Sequence, residues 1–343
     1  MNLLTLILCF TCLQNGGLAG AAEAGTDKDV SIIRCQYQNC AAIRNADVSI
    51  EIEDFFDTVE DTAEGNLHGM LIRERTLFRC IFDIAEGNYC QFSHAQINRT
   101  LFTDTETKPV ESSLVGMAAF CVNDKEEQVF RRVGSKTWTT HRKIFPKSDK
   151  EFLKRLAYCD VRGLILGSRL DCQWVPESRD KPIMPGIDEL SSNILSAKTV
   201  GNEMVITHLY KEFGFNMKGV GTKITTVYSL DSLMRLSETT SLYHHESKKS
   251  RKIQSVRYKW KELDGVMLPV TVKVEKRETK EVDGRSEPGW SSRTYKLTWN
   301  EVNSDNQDGK FFDGSLLESD ASLQEQLLIP IESATSENRP KEK

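Results

Sequence analysis

Downstream of residue 24, the side chains best able to do chemistry are seven cysteines: Cys35, Cys40, Cys80, Cys90, Cys121, Cys159 and Cys172. In an oxidising compartment such thiols pair, and the spacing favours the local pairs Cys35–Cys40 and Cys159–Cys172. Connectivity cannot be deduced from spacing, and an odd count leaves at least one thiol unpaired. Zinc is the competing use. However, no C-x-x-C follows residue 24, and His244-His245, adjacent in a strand, point to opposite faces and cannot jointly chelate. Cys80 shares a strand face with Phe78 and Phe82 and reads as a small buried hydrophobe.

The remaining polar clusters point away from catalysis. The carboxylates between Glu51 and Glu64 alternate with apolar residues or crowd a loop, as on a solvated edge. Asp160 and Arg162 have the spacing of an ion pair at a helix end, and Arg131, Arg132 and Trp138 are candidates to flank a groove. Asn98-Arg99-Thr100 matches a glycosylation sequon, which carries meaning only in a eukaryotic secretory pathway. There is no G-x-S-x-G, no H-E-x-x-H and no glycine loop of the phosphate-cradling kind. The expectation is a protein that is not an enzyme and uses neither cofactor nor metal.

The N-terminus supplies the compartment. Leu3–Leu13 is an apolar run of eleven residues, too short to span a bilayer, and small-x-small sites follow at Ala19–Ala21 and Ala22–Ala24. The segment 1–24 therefore reads as a secretory signal, although its start carries no Lys or Arg. Residue 21 is Ala rather than the Cys that lipid attachment would need. Removing 1–24 takes away Glu23 and no base, which leaves 49 acids against 45 bases, a formal charge of −4 compared with −5 for the whole chain. Such a balance offers no field for nucleic acid. Lys248-Lys249-Ser250-Arg251-Lys252 reads as a solvated loop between strands. No later stretch approaches a transmembrane span, so the expectation is an exported, periplasmic or secreted protein.

The elements that must position these side chains are strands. Val256, Tyr258 and Trp260 share one face, and Arg257, Lys259 and Lys261 the other. Asp264-Gly265 supplies the φ > 0 residues of a tight hairpin turn, after which Leu268, Val270, Val272 and Val274 alternate with Thr271, Lys273 and Glu275. The same period of two recurs at Val48–Ile52, Phe78–Ile84, Met204–Tyr210, Lys223–Ser229, Leu233–Leu236, Ser241–His245 and Tyr295–Trp299, while Leu114–Val122 is apolar on both faces. Two segments depart from it. Ser148-Asp149-Lys150-Glu151 is a capping box that opens a helix with Phe152, Leu153, Leu156 and Ala157 as its stripe, and a second short helix fits Ile187–Leu195. The fold class expected is mainly β with a few helices (α+β): a large curled antiparallel sheet, a half-barrel, wrapping short helices on its concave face.

At this point the residues carry a resemblance. Arg257–Glu262 followed by Asp264-Gly265-Val266-Met267-Leu268-Pro269 resembles the penultimate hairpin of the outer-membrane lipoprotein carrier (lipoprotein-sorting) superfamily, in which a dipeptide turn and a G-x-x-L-P strand recur. Ile224–Leu236 is similar to the preceding family hairpin, and Ala157–Gly167 resembles the helix-to-strand junction of long exported relatives. The resemblance implies an unclosed half-barrel of about eleven strands whose apolar cavity accepts acyl chains. On that reading Val256, Tyr258, Trp260, Leu268, Val270 and Val272, with Phe152 and Leu156, line the cavity, and the partner is a lipid or lipoprotein. Residues 25–45 would be a Cys-containing N-terminal segment, 46–330 the half-barrel with its helical insertion near 148–196, and 331–343 a disordered tail. The alternative is an envelope interaction or scaffold module whose own helices fill the cavity.

Overall fold

The computed structural model describes residues 27–61, 67–83, 86–102, 107–122, 126–132, 139–144, 176–178, 181–182, 193–210, 219–282 and 285–304, together with Arg162 and Phe312. Helix α1 (Asp27–Ala41) comes first, followed by strands β1 (Asn45–Asp61), β2 (Leu67–Asp83), β3 (Asn88–Phe102), β4 (Thr107–Val122), β5 (Glu126–Arg132) and β6 (Thr139–Ile144). A short pair, β7 (Pro176–Ser178) and β8 (Lys181–Pro182), stands apart. The chain then runs through β9 (Ile194–Val200), β10 (Glu203–Tyr210), β11 (Val220–Ser229), β12 (Arg235–His244), β13 (Lys249–Leu263), β14 (Val266–Val282) and β15 (Arg285–Val302).

Among the described residues, thirteen strands make one open antiparallel sheet in the order β6-β5-β4-β3-β2-β1-β15-β14-β13-β12-β11-β10-β9. Neighbours along the chain are neighbours in the sheet, except at the seam where β1 pairs with β15, Ile50 opposite Leu297 and Ile52 opposite Tyr295. The seam joins two meanders into one surface. Within the second meander the hairpin read from sequence is present. Asp264 and Gly265 both take positive φ, Val256 and Tyr258 are buried, and Arg257, Lys259 and Lys261 are exposed. Val256 pairs with Val274 and Tyr258 with Val272, after which a register shift leaves Val270 as the extra residue of a bulge, half-buried.

Helix α1 supplies the second layer. Ile32, Ile33, Gln36, Tyr37 and Cys40 recur at helical spacing, and all are buried against one face of the sheet, here called the inner face. That core takes Val48 and Ile50 from β1, Phe78, Cys80 and Phe82 from β2, Tyr258 from β13, Leu268 and Val272 from β14, and Leu297 and Trp299 from β15. Burying side chains of this size stabilises the fold by roughly 1.5–3 kcal/mol each. The helix end is held by Asn303, whose Nδ2 donates to the Ala42 carbonyl at 2.8 Å while its Oδ1 accepts from the Arg44 amide at 2.8 Å.

Several expectations change. The N-terminal segment contains a helix, because the stripe of α1 has a sheet face to bury against. Ile194 and Leu195, placed by sequence at the end of a second helix, begin strand β9. Residues 187–192 and the helix opened by Ser148, with Phe152 and Leu156, lie outside the described residues. Leu233–Leu236 and Ser241–His245 are not two strands: the single strand β12 begins at Arg235 and ends at His244, with a register shift at Thr240/Ser241. Cys35 and Cys40 do not bridge, since five residues along a helix they point about 140° apart. Cys40 instead donates its S–H to the Arg162 carbonyl at 3.4 Å, and a disulfide joins Cys90 to Cys121, directly opposed on β3 and β4. Cys159 and Cys172 lie outside the described residues.

Candidate functional site

The inner face changes character along its strands. One row across the sheet sets Ile52 beside Tyr295, Tyr295 beside Val272 and Val272 beside Tyr258. Two residues further on, the row reads Asp54, Arg293, Val274, Val256, Glu238, Thr226 and Ile206. The row beyond it reads Ser291, Lys276, Gln254, Thr240, Ile224 and His208. Helix α1 covers the apolar end. Past its footprint, Ile52, Tyr295 and Val274 are half-buried apolar groups beside charged and hydroxylated ones.

Two arginine–carboxylate pairs sit on this face. Arg293 grips Asp54 with both nitrogens, Nε to Oδ1 at 2.6 Å and Nη2 to Oδ2 at 2.7 Å, and its guanidinium lies 6.0 Å from the Tyr295 ring centroid. Burial works against the Arg293 charge, but its hydrogen bonds to Asp54, together with the pull of Tyr295 and the Asp54 charge, outweigh burial and hold the guanidinium protonated beyond its ordinary range. Arg235 is the deeper case. Its Nη1 donates to Glu238 Oε2 at 3.0 Å, both side chains are almost wholly out of water, and the guanidinium sits 5.6 Å from the Tyr258 ring centroid. Tyr258 stacks on Trp260 at 5.8 Å, and the Trp260 indole donates to the Arg235 carbonyl at 2.5 Å. Burial pushes the Tyr258 hydroxyl well above its usual pKa, against the counter-pull of Arg235. Nearby on β11, the buried hydroxyls of Thr222, Thr226 and Tyr228 have no hydrogen-bond partner among the described residues.

Of the residues singled out as cavity-lining, the fold brings Val256, Tyr258, Leu268 and Val272 into one packed cluster with Trp260 at its margin, and Val270 lies at the bulge. Spacing alone already held a signal for the paired charges: Asp54 is in step with Ile50 and Ile52, and Arg293 with Tyr295 and Leu297, so each falls on an apolar strand face. Of the carboxylates between Glu51 and Glu64, those up to Asp61 lie on β1, which is a central strand and not an edge. Its outward carboxylates pair across strands, Asp47 with Arg79 at 2.7 Å, Glu51 with Arg75 at 2.7 Å and Glu53 with Lys296 at 3.3 Å. Arg162, which the sequence pairs with Asp160 at a helix end, is buried. It donates to the Ile43 carbonyl at 3.0 Å and lies 5.6 Å from the Phe82 ring centroid. Asp160 and Trp138 lie outside the described residues. Among the described residues, no helix is long and apolar enough to cross a membrane.

No family model matches the chain, and no curated protein matches it. Solved structures similar to it include a β-barrel-like protein of a domain of unknown function from Brucella abortus, at 9% identity over 76% of this chain and 100% of that one, with a TM-score of 0.19. An outer membrane channel from Pseudomonas putida F1 is similar at 8% identity over 74% of this chain and 96% of the channel, TM-score 0.19. An AttH-type protein from Nitrosomonas europaea is similar at 7% identity over 72% and 92%, TM-score 0.15. Likenesses at this level carry no argument about what the chain binds.

Proposed function

We propose that the chain is an exported, non-enzymatic binding protein that holds a lipid, or the acyl part of a lipidated polypeptide, against the inner face of its sheet. The observation that supports this reading is the amphipathic grading of that face. Half-buried Ile52 and Tyr295 continue the apolar core past α1, half-buried Val274 stands beside the Asp54–Arg293 pair in the next row, and Gln254 and Lys276 follow along the strands. An acyl chain lying on the first group gains roughly 25 cal/mol per Å² of buried apolar area, with its polar end beside the second. Export is supported by the Cys90–Cys121 disulfide, since such bonds persist in oxidising compartments. The paired arginines satisfy their own carboxylates, which suits recognition better than proton transfer.

The test is saturable binding of a fluorescent fatty-acid probe by the delipidated protein. Val274→Trp overfills the half-buried site by about 1–3 kcal/mol, so probe affinity should fall roughly tenfold while the fold persists. Absence of saturable binding by the wild type would overturn the lipid reading in favour of an envelope scaffold. That second reading is favoured by one observation: α1 already packs Ile33, Tyr37 and Cys40 onto the face, so part of it is filled by the chain itself.

A further inference from the structure

The hairpin joining β12 to β13 concentrates positive charge at one end of the sheet. Residues 245–252 carry Lys248, Lys249, Arg251 and Lys252 against the single acid Glu246, a formal +3 within a chain of −5. All four bases are exposed. The tip is held in place: the His245 amide donates to the Gly219 carbonyl at 3.0 Å, Lys248 takes a φ of 54°, and the Lys249 amide donates to Ser247 Oγ at 3.4 Å. Because β13 alternates, Lys249 and Arg251 leave one face of the ribbon and Lys252 the other. Such a spread does not converge on one small anion. It meets a plane end-on.

The same end of the sheet carries Lys276, opposite Gln254, and exposed Arg277 after it. It is also the end toward which the inner face turns polar, through Thr240, Gln254 and Lys276. We infer that this hairpin docks the protein on an anionic bilayer surface, with the strands standing toward the membrane and the polar end of the inner face brought to the headgroups. The inference goes beyond the lipid-holding reading and does not depend on it, since docking is read from vesicles and lipid holding from probe uptake. The attraction is one of diffuse charge and is screened within about 10 Å at 0.1 M salt.

Co-sedimentation of the purified full chain with mixed phosphatidylglycerol–phosphatidylcholine vesicles, against phosphatidylcholine alone, tests it. Binding should be confined to the anionic vesicles and lost at about 0.5 M salt. Lys248→Gln with Lys249→Gln should lower the partition coefficient by about tenfold or more, while leaving the melting temperature unchanged, because both side chains are exposed. Lys259→Gln with Lys261→Gln removes the same charge from exposed positions farther along the same strand and should leave partitioning within about twofold. Equal sedimentation with both vesicle types, or equal losses from the two double variants, overturns the inference.

Discussion

Asn39 on α1 completes the hydrogen bonding of Met267 on β14: Asn39 Oδ1 accepts from the Met267 amide at 2.8 Å and Asn39 Nδ2 donates to the Met267 carbonyl at 2.5 Å. The two groups need a partner because the β14–β15 ladder ends at Thr271 and Lys296, beyond which β15 continues alongside β1. A side-chain amide offers the donor and acceptor that a strand would have offered. Two residues on, Pro269 has no amide to satisfy, and its carbonyl accepts from the Trp299 indole at 2.9 Å. The helix is therefore joined to the sheet by backbone polarity as well as by apolar contact.

Asn39→Ala leaves the part-buried Met267 amide and carbonyl without these partners and should cost about 2–4 kcal/mol. Asn39→Asp keeps the acceptor and loses the donor, so it should fall between the wild type and Ala. Urea melts of the three proteins check the order, and a wild-type midpoint for Asn39→Ala would sink the account.

Arg235→Met strands the Glu238 carboxylate in the core and should destabilise the fold by about 3–5 kcal/mol. Replacing both partners, Arg235→Met with Glu238→Leu, removes the stranded charge, and the double variant should be more stable than Arg235→Met alone. Additive losses in a double-mutant cycle would show that the two side chains act separately.

The alkaline limb of the stability curve belongs in part to Tyr258. Burial raises its pKa in the folded chain, whereas the unfolded chain titrates near pH 10. The folded state thus keeps a proton that the unfolded state gives up, so this contribution is whole below about pH 10 and declines as pH rises above it. Tyr258→Phe should flatten the fall in unfolding free energy above pH 10. An unchanged slope would count against a buried, protonated phenol.

Thr226 exchanges easily, because its hydroxyl is buried opposite Glu238 without a hydrogen-bond partner among the described residues. Thr226→Val keeps the shape and removes the unsatisfied group, and thermal melts should show a gain of about 1 kcal/mol.

Cys90→Ser with Cys121→Ser opens a loop of sequence separation 31 and should lower stability by about 3–4 kcal/mol on the chain-entropy account. Alkylation of the denatured, unreduced protein should label Cys35 and Cys40 and spare Cys90 and Cys121. Recovery of a bridged Cys35–Cys40 peptide would reverse that assignment.

What the residues determined by themselves is local. The alternation through Val256–Trp260, the Asp264-Gly265 turn and the return strand from Val266 need only a period of two and a turn that tolerates φ > 0, and all are present. Cys80 with Phe78 and Phe82 on one buried face follows from the same parity. The tertiary structure decided everything that depends on which distant strands meet. Cys90 faces Cys121 only once β3 and β4 take their register, and Ile50 meets Leu297 only across the seam that joins the two meanders. Residues 27–41 become a helix with a buried stripe because the sheet offers it a face, and Asn39 has a task only because two strands part beside it. Arg235 and Glu238 read as ordinary polar residues in the sequence. Burial on β12, between β11 and β13, makes them a pair, since a charge taken out of water must find its partner among the groups packed around it.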